Sequence, residues 1–166
     1  MTKRIDQINE LSREQFVELL GTIFERSPWV AAAVWKDRPF ASREALHTAM
    51  INVVRESRVD TIIDLVRAHP DLGTRLAVAE YSAKEQKGAG LDQLTAEEYE
   101  RFYGLNQMYV KKFGFPFILA VRGKTKDDIL AAMEARIGNP ASKEAAQALL
   151  EIEKISGFRI RDLITE

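Results

Sequence analysis

Apolar residues recur along this chain at helical spacing, in stretches cut apart by proline and glycine. Phe16, Leu19, Leu20, Ile23 and Phe24 form one such stripe. Ser12-Arg13-Glu14-Gln15 ahead of it has the capping-box spacing, in which a Ser hydroxyl and a Gln side chain satisfy free N–H groups at a helix start. Ser27-Pro28 interrupts that helix, and residues 29–35 read as a short second one stopped by Arg38-Pro39. Ser42 caps a third helix, with Leu46, Met50, Val53 and Val54 facing inward. Asp60 caps a fourth, built on Ile62, Ile63, Leu65 and Val66, which ends near His69 because Pro70 disfavours α geometry in the residue before it.

Beyond Gly73 the pattern loosens, and Gly88 and Gly90 mark a turn. Thr95-Ala96-Glu97-Glu98 then opens a long helix through Tyr99, Phe102, Leu105, Tyr109 and Val110, with Gly114 placed to end it. Residues 115–121 are apolar but too few for a typical helix and include Pro116, so they read as an extended buried segment. Thr125 caps a helix to about Ile137, Asn139-Pro140 turns the chain, and Ser142 starts the last helix. Six to eight helices and one short extended apolar segment make the expected class all-α, a single compact multi-helix domain over residues 1–166.

Composition narrows what such a domain can do. Net charge is -1, which leaves no bulk excess of positive charge for a phosphate backbone, so nucleic acid is not an expected partner. No apolar run approaches the roughly 20 residues that span a bilayer, and no membrane association is expected. The first residues lack a signal-peptide apolar stretch and the last three are not a peroxisomal address. Together with the absence of Cys, this makes the cytoplasm the expected compartment. Without Cys there is no thiolate nucleophile; a phosphate loop and a His-Glu-x-x-His pair are also missing, and two histidines do not make a His-rich metal site.

Three stretches remain that can carry chemistry. His47 lies inside a predicted helix and reads as a structural or surface residue, but His69 is forced out of helical geometry at a helix end, where its ring is free to face a cleft. A His that merely ends a helix is the plain alternative. Ser82-Ala83-Lys84-Glu85-Gln86 contains a capping-box spacing, and a helix start is also a place where free N–H groups meet an anion. The extended segment is most simply a core strand, yet its backbone N–H and C=O groups need partners that a polar heterocyclic ligand can supply, and Arg122 adds a fixed positive charge beside it.

The order and spacing of these motifs resemble one family, the 2-oxo-4-hydroxy-4-carboxy-5-ureidoimidazoline (OHCU) decarboxylases of urate degradation. The resemblance runs through Phe24-Glu25-Arg26-Ser27-Pro28-Trp29-Val30, Arg38-Pro39-Phe40 and His69-Pro70-Asp71-Leu72-Gly73. It continues through Ser82-x-x-Glu85-Gln86-x-x-Ala89-Gly90-Leu91 and Leu105-Asn106-x-x-Tyr109-x-x-Lys112-Phe113-Gly114-Phe115-Pro116-Phe117. It implies an all-helical, dimeric enzyme that forms (S)-allantoin and carbon dioxide from a small-molecule substrate without a cofactor or metal. It also implies a functional coupling to 5-hydroxyisourate hydrolase. On this resemblance His69 matches the catalytic histidine, with Glu85 beside it in the chemistry. Pro70, Ser82, Ala83, Lys84, Glu85 and Gln86 match substrate-contacting positions, as do Phe117, Ile118, Leu119, Ala120, Val121 and the adjoining Arg122.

The substrate explains why so few groups suffice. Its carboxylate-bearing carbon adjoins a ring C=N bond, so the electron pair released with carbon dioxide moves into that imine, and the substrate is its own electron sink. The enzyme must orient the carboxylate, stabilise developing charge and deliver one proton to one face of the adjacent carbon. An imidazole with an ordinary pKa of about 6.5 suits the last task. Two other readings stay open on sequence alone: a helical protein-interaction module using Trp29, Trp35 and the Phe115 region, and a related lyase acting on another ureido or imidazole acid.

Overall fold

The computed structural model describes residues 2–73 and 80–166, which fall into two compact units. The first holds the chain up to Ala68 together with Glu153–Glu166; the second is His69–Ile152. Among the described residues the architecture is all-α, with nine α-helices and two strands of two residues each. None of these helices is long and apolar enough to cross a membrane.

In the first unit, strand β1 (Lys3–Arg4) leads into α1 (Ile5–Asn9), followed by α2 (Arg13–Leu20), α3 (Trp29–Val34), a 3-10 turn at Trp35–Asp37, α4 (Arg43–Arg55) and α5 (Val59–Arg67). The end of α9 (Ala141–Leu163) and strand β2 (Ile164–Thr165) complete it, with β2 parallel to β1 and Lys3 opposite Ile164. Ser12 caps α2 and Ser42 caps α4 as their spacing predicts, each hydroxyl accepting the N–H three residues on. Phe16, Leu20, Val30, Val34, Leu46, Met50 and Val54 supply the core. Inside it Arg159 donates to the Ile23 carbonyl at 3.1 Å and lies 3.5 Å from the Glu25 carboxylate. His47 meets Ser156 Oγ at 2.8 Å, and burial lowers its pKa, which fits the structural reading of this residue.

Several boundaries differ from expectation. The helix begun at Ser12 stops at Leu20 rather than Phe24; the chain turns at Gly21, and Ile23 and Phe24 reach the core from the irregular corner that follows. Asp60 is not a cap: α5 starts at Val59 after Arg58, so Asp60 sits in the first turn, where its negative charge faces the free N–H groups. No pattern in the sequence marks the short α1 or the strand pair, the latter because it joins residues 161 positions apart in register.

The second unit contains α6 (Glu80–Gly88), α7 (Ala96–Phe113), α8 (Lys126–Ile137) and α9 up to Ile152. Capping boxes at Thr95 and Thr125 start α7 and α8, and Gly114 ends α7 with φ 79°, a left-handed geometry that suits glycine. Ser82 lies inside α6 and therefore is not its cap, since the helix already includes Glu80 and Tyr81. The loosened stretch after Gly73 includes residues outside those described. Residues 114–121 belong to neither helix nor strand and form the apolar connection between α7 and α8.

Candidate active site

Every candidate residue lies in the second unit, and α7 explains how two of the three stretches come together. Its buried stripe is Phe102, Asn106 and Tyr109, at i, i+4 and i+7. Phe102 packs under Gly73 at one end. Asn106, 4% exposed, donates to the Leu72 carbonyl at 2.8 Å. Tyr109 meets Phe117 edge-on at 5.3 Å between ring centroids and Phe115 at 5.9 Å. One helix face about 10 Å long thus backs both the loop that begins at His69 and the apolar segment after Gly114.

The His69 loop is fastened from a second side by α6. Ser82, Gln86 and Ala89 are buried at i, i+4 and i+7, and Gln86 engages the loop twice. Its Oε1 accepts the Gly73 N–H at 3.1 Å and its Nε2 donates to the Asp71 carbonyl at 3.3 Å. His69 itself is 8% exposed, Pro70 and Glu85 are half-buried, and burial pushes the Asp71 carboxyl up. Ala83 and Lys84 are exposed, so the contiguous run expected from sequence divides by helical register: Ser82 and Gln86 inside, Glu85 at the edge, Ala83 and Lys84 outside.

Gly73 is the tightest point of this loop. Its φ is +71°, and a Cβ there would sit 3.0 Å from Phe102 Cγ and 3.1 Å from Leu94 Cδ1. Gly73→Ala is therefore expected to combine left-handed strain with overpacking and to destabilise the protein by about 2–4 kcal/mol. A urea titration showing a loss below about 0.5 kcal/mol would contradict this account.

In the apolar segment Phe117, Ile118, Ala120 and Val121 are buried, Leu119 is half-buried and Arg122 is exposed. Fewer of its backbone groups are left for a ligand than the sequence suggests, because side chains of the same unit take some of them. Arg136 donates to the Ile118 carbonyl at 2.6 Å, and Glu151 Oε1 accepts the Ala120 N–H at 3.0 Å. The Lys124 N–H turns back to the Val121 carbonyl at 3.0 Å.

Sequence reasoning missed the polar core behind this segment. Glu144, fully buried, accepts from Tyr109 at 2.6 Å, Arg136 Nε at 2.8 Å and Asn139 at 2.9 Å. Arg136 also lies 4.3 Å from the Phe117 ring centroid. Burial pushes the Glu144 carboxyl upward, but the bonds from Tyr109, Asn139 and Arg136 outweigh it and hold the group below the ordinary range. Burial, and then Glu144 as acceptor, push the Tyr109 phenol up, so it serves as a donor. A signal was present: Glu144, Ala148, Glu151 and Ile152 share one helical face, which places two carboxylates at core positions. Likewise the expected stripe of α7 included Leu105 and Val110, which are half-buried and exposed, while Asn106 takes the inward position. Among the described residues, no group of three or more His, Asp or Glu side chains is placed to hold a metal ion.

Comparison with known proteins gives this arrangement a context. The family model described as OHCU decarboxylase matches residues 9–161. A protein of Halalkalicoccus jeotgali named 2-oxo-4-hydroxy-4-carboxy-5-ureidoimidazoline decarboxylase is 42% identical over 96% of this chain and 90% of its own length. The uric acid degradation bifunctional protein of Bacillus subtilis is 44% identical over 98% of this chain, which spans only 33% of that relative. The crystal structure of an (S)-allantoin synthase superposes with a TM-score of 0.80 at 33% identity, covering 97% of this chain and 54% of the other. An OHCU decarboxylase crystallised in the presence of (S)-allantoin gives 0.70 at 26% identity, covering 92% of this chain and 97% of the other. A model match over residues 9–161, with a relative 42% identical that the chain covers to 90% of its length, establishes that the chain belongs to the OHCU decarboxylase family.

Proposed function

We propose that this chain is a carboxy-lyase that converts OHCU to (S)-allantoin and carbon dioxide in urate degradation, working as one domain over residues 1–166 without a cofactor. The observation that carries the site assignment is the Phe102, Asn106, Tyr109 stripe, which backs both the His69 loop and the 117–121 segment. The reaction needs a proton donor and a recognition edge held in fixed relation, and a single rigid helix supplies that relation.

In this reading the C–C bond to the carboxylate breaks, its electron pair moves through the adjacent carbon into the ring C=N bond, and carbon dioxide leaves. The ring nitrogen that receives the imine electrons takes the hydroxyl proton, which leaves the ring carbonyl, and His69 delivers a second proton to one face of the adjacent carbon, which sets the S configuration. Glu85 accepts ring or ureido N–H groups. Ser82 and Gln86 donate and accept along the ligand edge, Gln86 doing so with the capacity left after its two bonds to the loop. Backbone groups of residues 117–121 complete recognition, and Arg122 offsets substrate charge. Pro70 shapes the wall beside His69. Ala83 and Lys84, both exposed, contribute position in α6 rather than side-chain contact.

The cytoplasm and a homodimer are the compartment and assembly we infer. A functional coupling to 5-hydroxyisourate hydrolysis, the step that supplies OHCU, is part of the same proposal; the match to a third of a protein named as bifunctional in uric acid degradation supports a coupling within that degradation without naming its second activity.

The test is circular dichroism of the product formed from freshly generated substrate. Because OHCU also decays without an enzyme, the expected result is accumulation of a single allantoin enantiomer. A racemic product at the uncatalysed rate would refute the assignment.

A further inference from the structure

We propose that Glu151 and Arg136 are positioning residues for the substrate wall: they hold one backbone edge of residues 117–121 so that the edge at Leu119 is presented to the ligand. This deepens the decarboxylase reading and rests on it. Residues two apart in an extended chain point their N–H and C=O groups to the same edge, and the residue between them points to the other. Ile118 and Ala120, two apart, are the residues held, at 2.6 Å by Arg136 and at 3.0 Å by Glu151. Leu119 lies between them. Its N–H and C=O have no hydrogen-bond partner among the described residues, and it alone of residues 115–121 is not buried.

Both anchors are themselves fixed. Glu151, 2% exposed, receives Gln147 Nε2 at 2.8 Å on its second oxygen. Arg136, 9% exposed, is gripped by Glu144 at 2.8 Å and lies over the Phe117 ring. A buried carboxylate and a buried guanidinium are expensive ways to satisfy two peptide groups. Here they bring rigidity, since each anchor arises from a helix and has its own partner, and a binding edge prepared in advance spares the substrate the cost of ordering it.

The experiment compares Glu151→Ala with Glu151→Gln, using steady-state kinetics on freshly generated OHCU and amide hydrogen exchange at Ala120. Alanine removes the acceptor, whereas glutamine keeps an oxygen for the Ala120 N–H. The expected result for Glu151→Ala is faster Ala120 exchange and a KM raised about tenfold, with kcat lowered less than about threefold. Glu151→Gln is expected to bring KM back to within about threefold of the parent. Faster exchange with an unchanged KM would overturn the positioning role, as would a glutamine variant as impaired as the alanine one. If Glu151→Ala does not fold, Arg136→Lys takes its place: the ammonium keeps the charge beside Glu144 but loses the fork that also reaches Ile118, so KM is again expected to rise. A folded Arg136→Lys with the parent KM would overturn the proposal. Absence of stereoselective product from the unaltered chain overturns the decarboxylase reading and this role together, whereas an active chain with an unmoved variant KM overturns this role alone.

Discussion

Replacing His69 with asparagine is expected to lower turnover at least about 100-fold while leaving (S)-allantoin binding within a few fold of the parent. Asparagine preserves a polar side chain of similar reach at the loop position but has no proton to give near neutral pH. The loop should keep its form, because its fastenings run through neighbouring backbone: Gln86 holds Asp71 and Gly73, and Asn106 holds Leu72. Stopped-flow decay of OHCU gives the rate, and a thermal shift with allantoin reports binding, since a ligand that binds only the folded state must stabilise it. Full activity in this variant would move the proton to another donor, with Glu85 the next candidate. Loss of binding in parallel with turnover would instead mark His69 as a recognition group.

What was legible beforehand divides along physical lines. The starts of α2, α4, α7 and α8 were read correctly at Ser12, Ser42, Thr95 and Thr125, because a capping side chain acts within three residues of its own position. The same locality misled at Ser82, where a capping-box spacing occurs inside a helix; its stripe with Gln86 and Ala89 is a packing register, not a helix start. His69 was found through Pro70, again a neighbour effect.

The supports of the candidate site were not legible because they are long-range and polar. Asn106 reaches Leu72 across 34 residues, and Glu151 reaches Ala120 across 31. No spacing rule connects such pairs, and a hydrophobic-stripe reading discards polar residues from the inward face before their partners are known. Backbone groups that an apolar segment cannot satisfy by itself are the recoverable clue. The apolar sequence of 115–121 signals that its backbone needs partners, and the structure meets part of that need with Arg136 at the Ile118 carbonyl, Glu151 at the Ala120 N–H and the Lys124 turn at the Val121 carbonyl.

The polar core behind that segment carries the largest expected effect on stability. Glu144→Ala removes the shared acceptor of Tyr109, Arg136 and Asn139 and leaves a guanidinium buried without its carboxylate. Breaking such a pair from one side costs about 3–5 kcal/mol, a large part of the roughly 5–15 kcal/mol that holds a domain of this kind together. Glu144→Gln keeps an acceptor and the packing volume, so its cost at neutral pH is expected to be smaller, about 1–3 kcal/mol. Acid should bring parent and glutamine variant together. The folded protein holds the Glu144 pKa below the ordinary value, so as pH falls the unfolded chain takes up this proton first. The carboxylate's contribution is thus complete above the ordinary glutamate pKa of about 4.3 and is lost as pH drops through the lower folded value. Urea midpoints measured from pH 7 down to pH 3 should show a constant gap between parent and Glu144→Gln at the upper end and a closing gap below about pH 4.3. A gap that persists unchanged into acid would mean that Glu144 contributes shape rather than charge. In that case the cationic form of Arg136 would be compensated elsewhere, and its hold on Ile118 would not depend on this carboxylate.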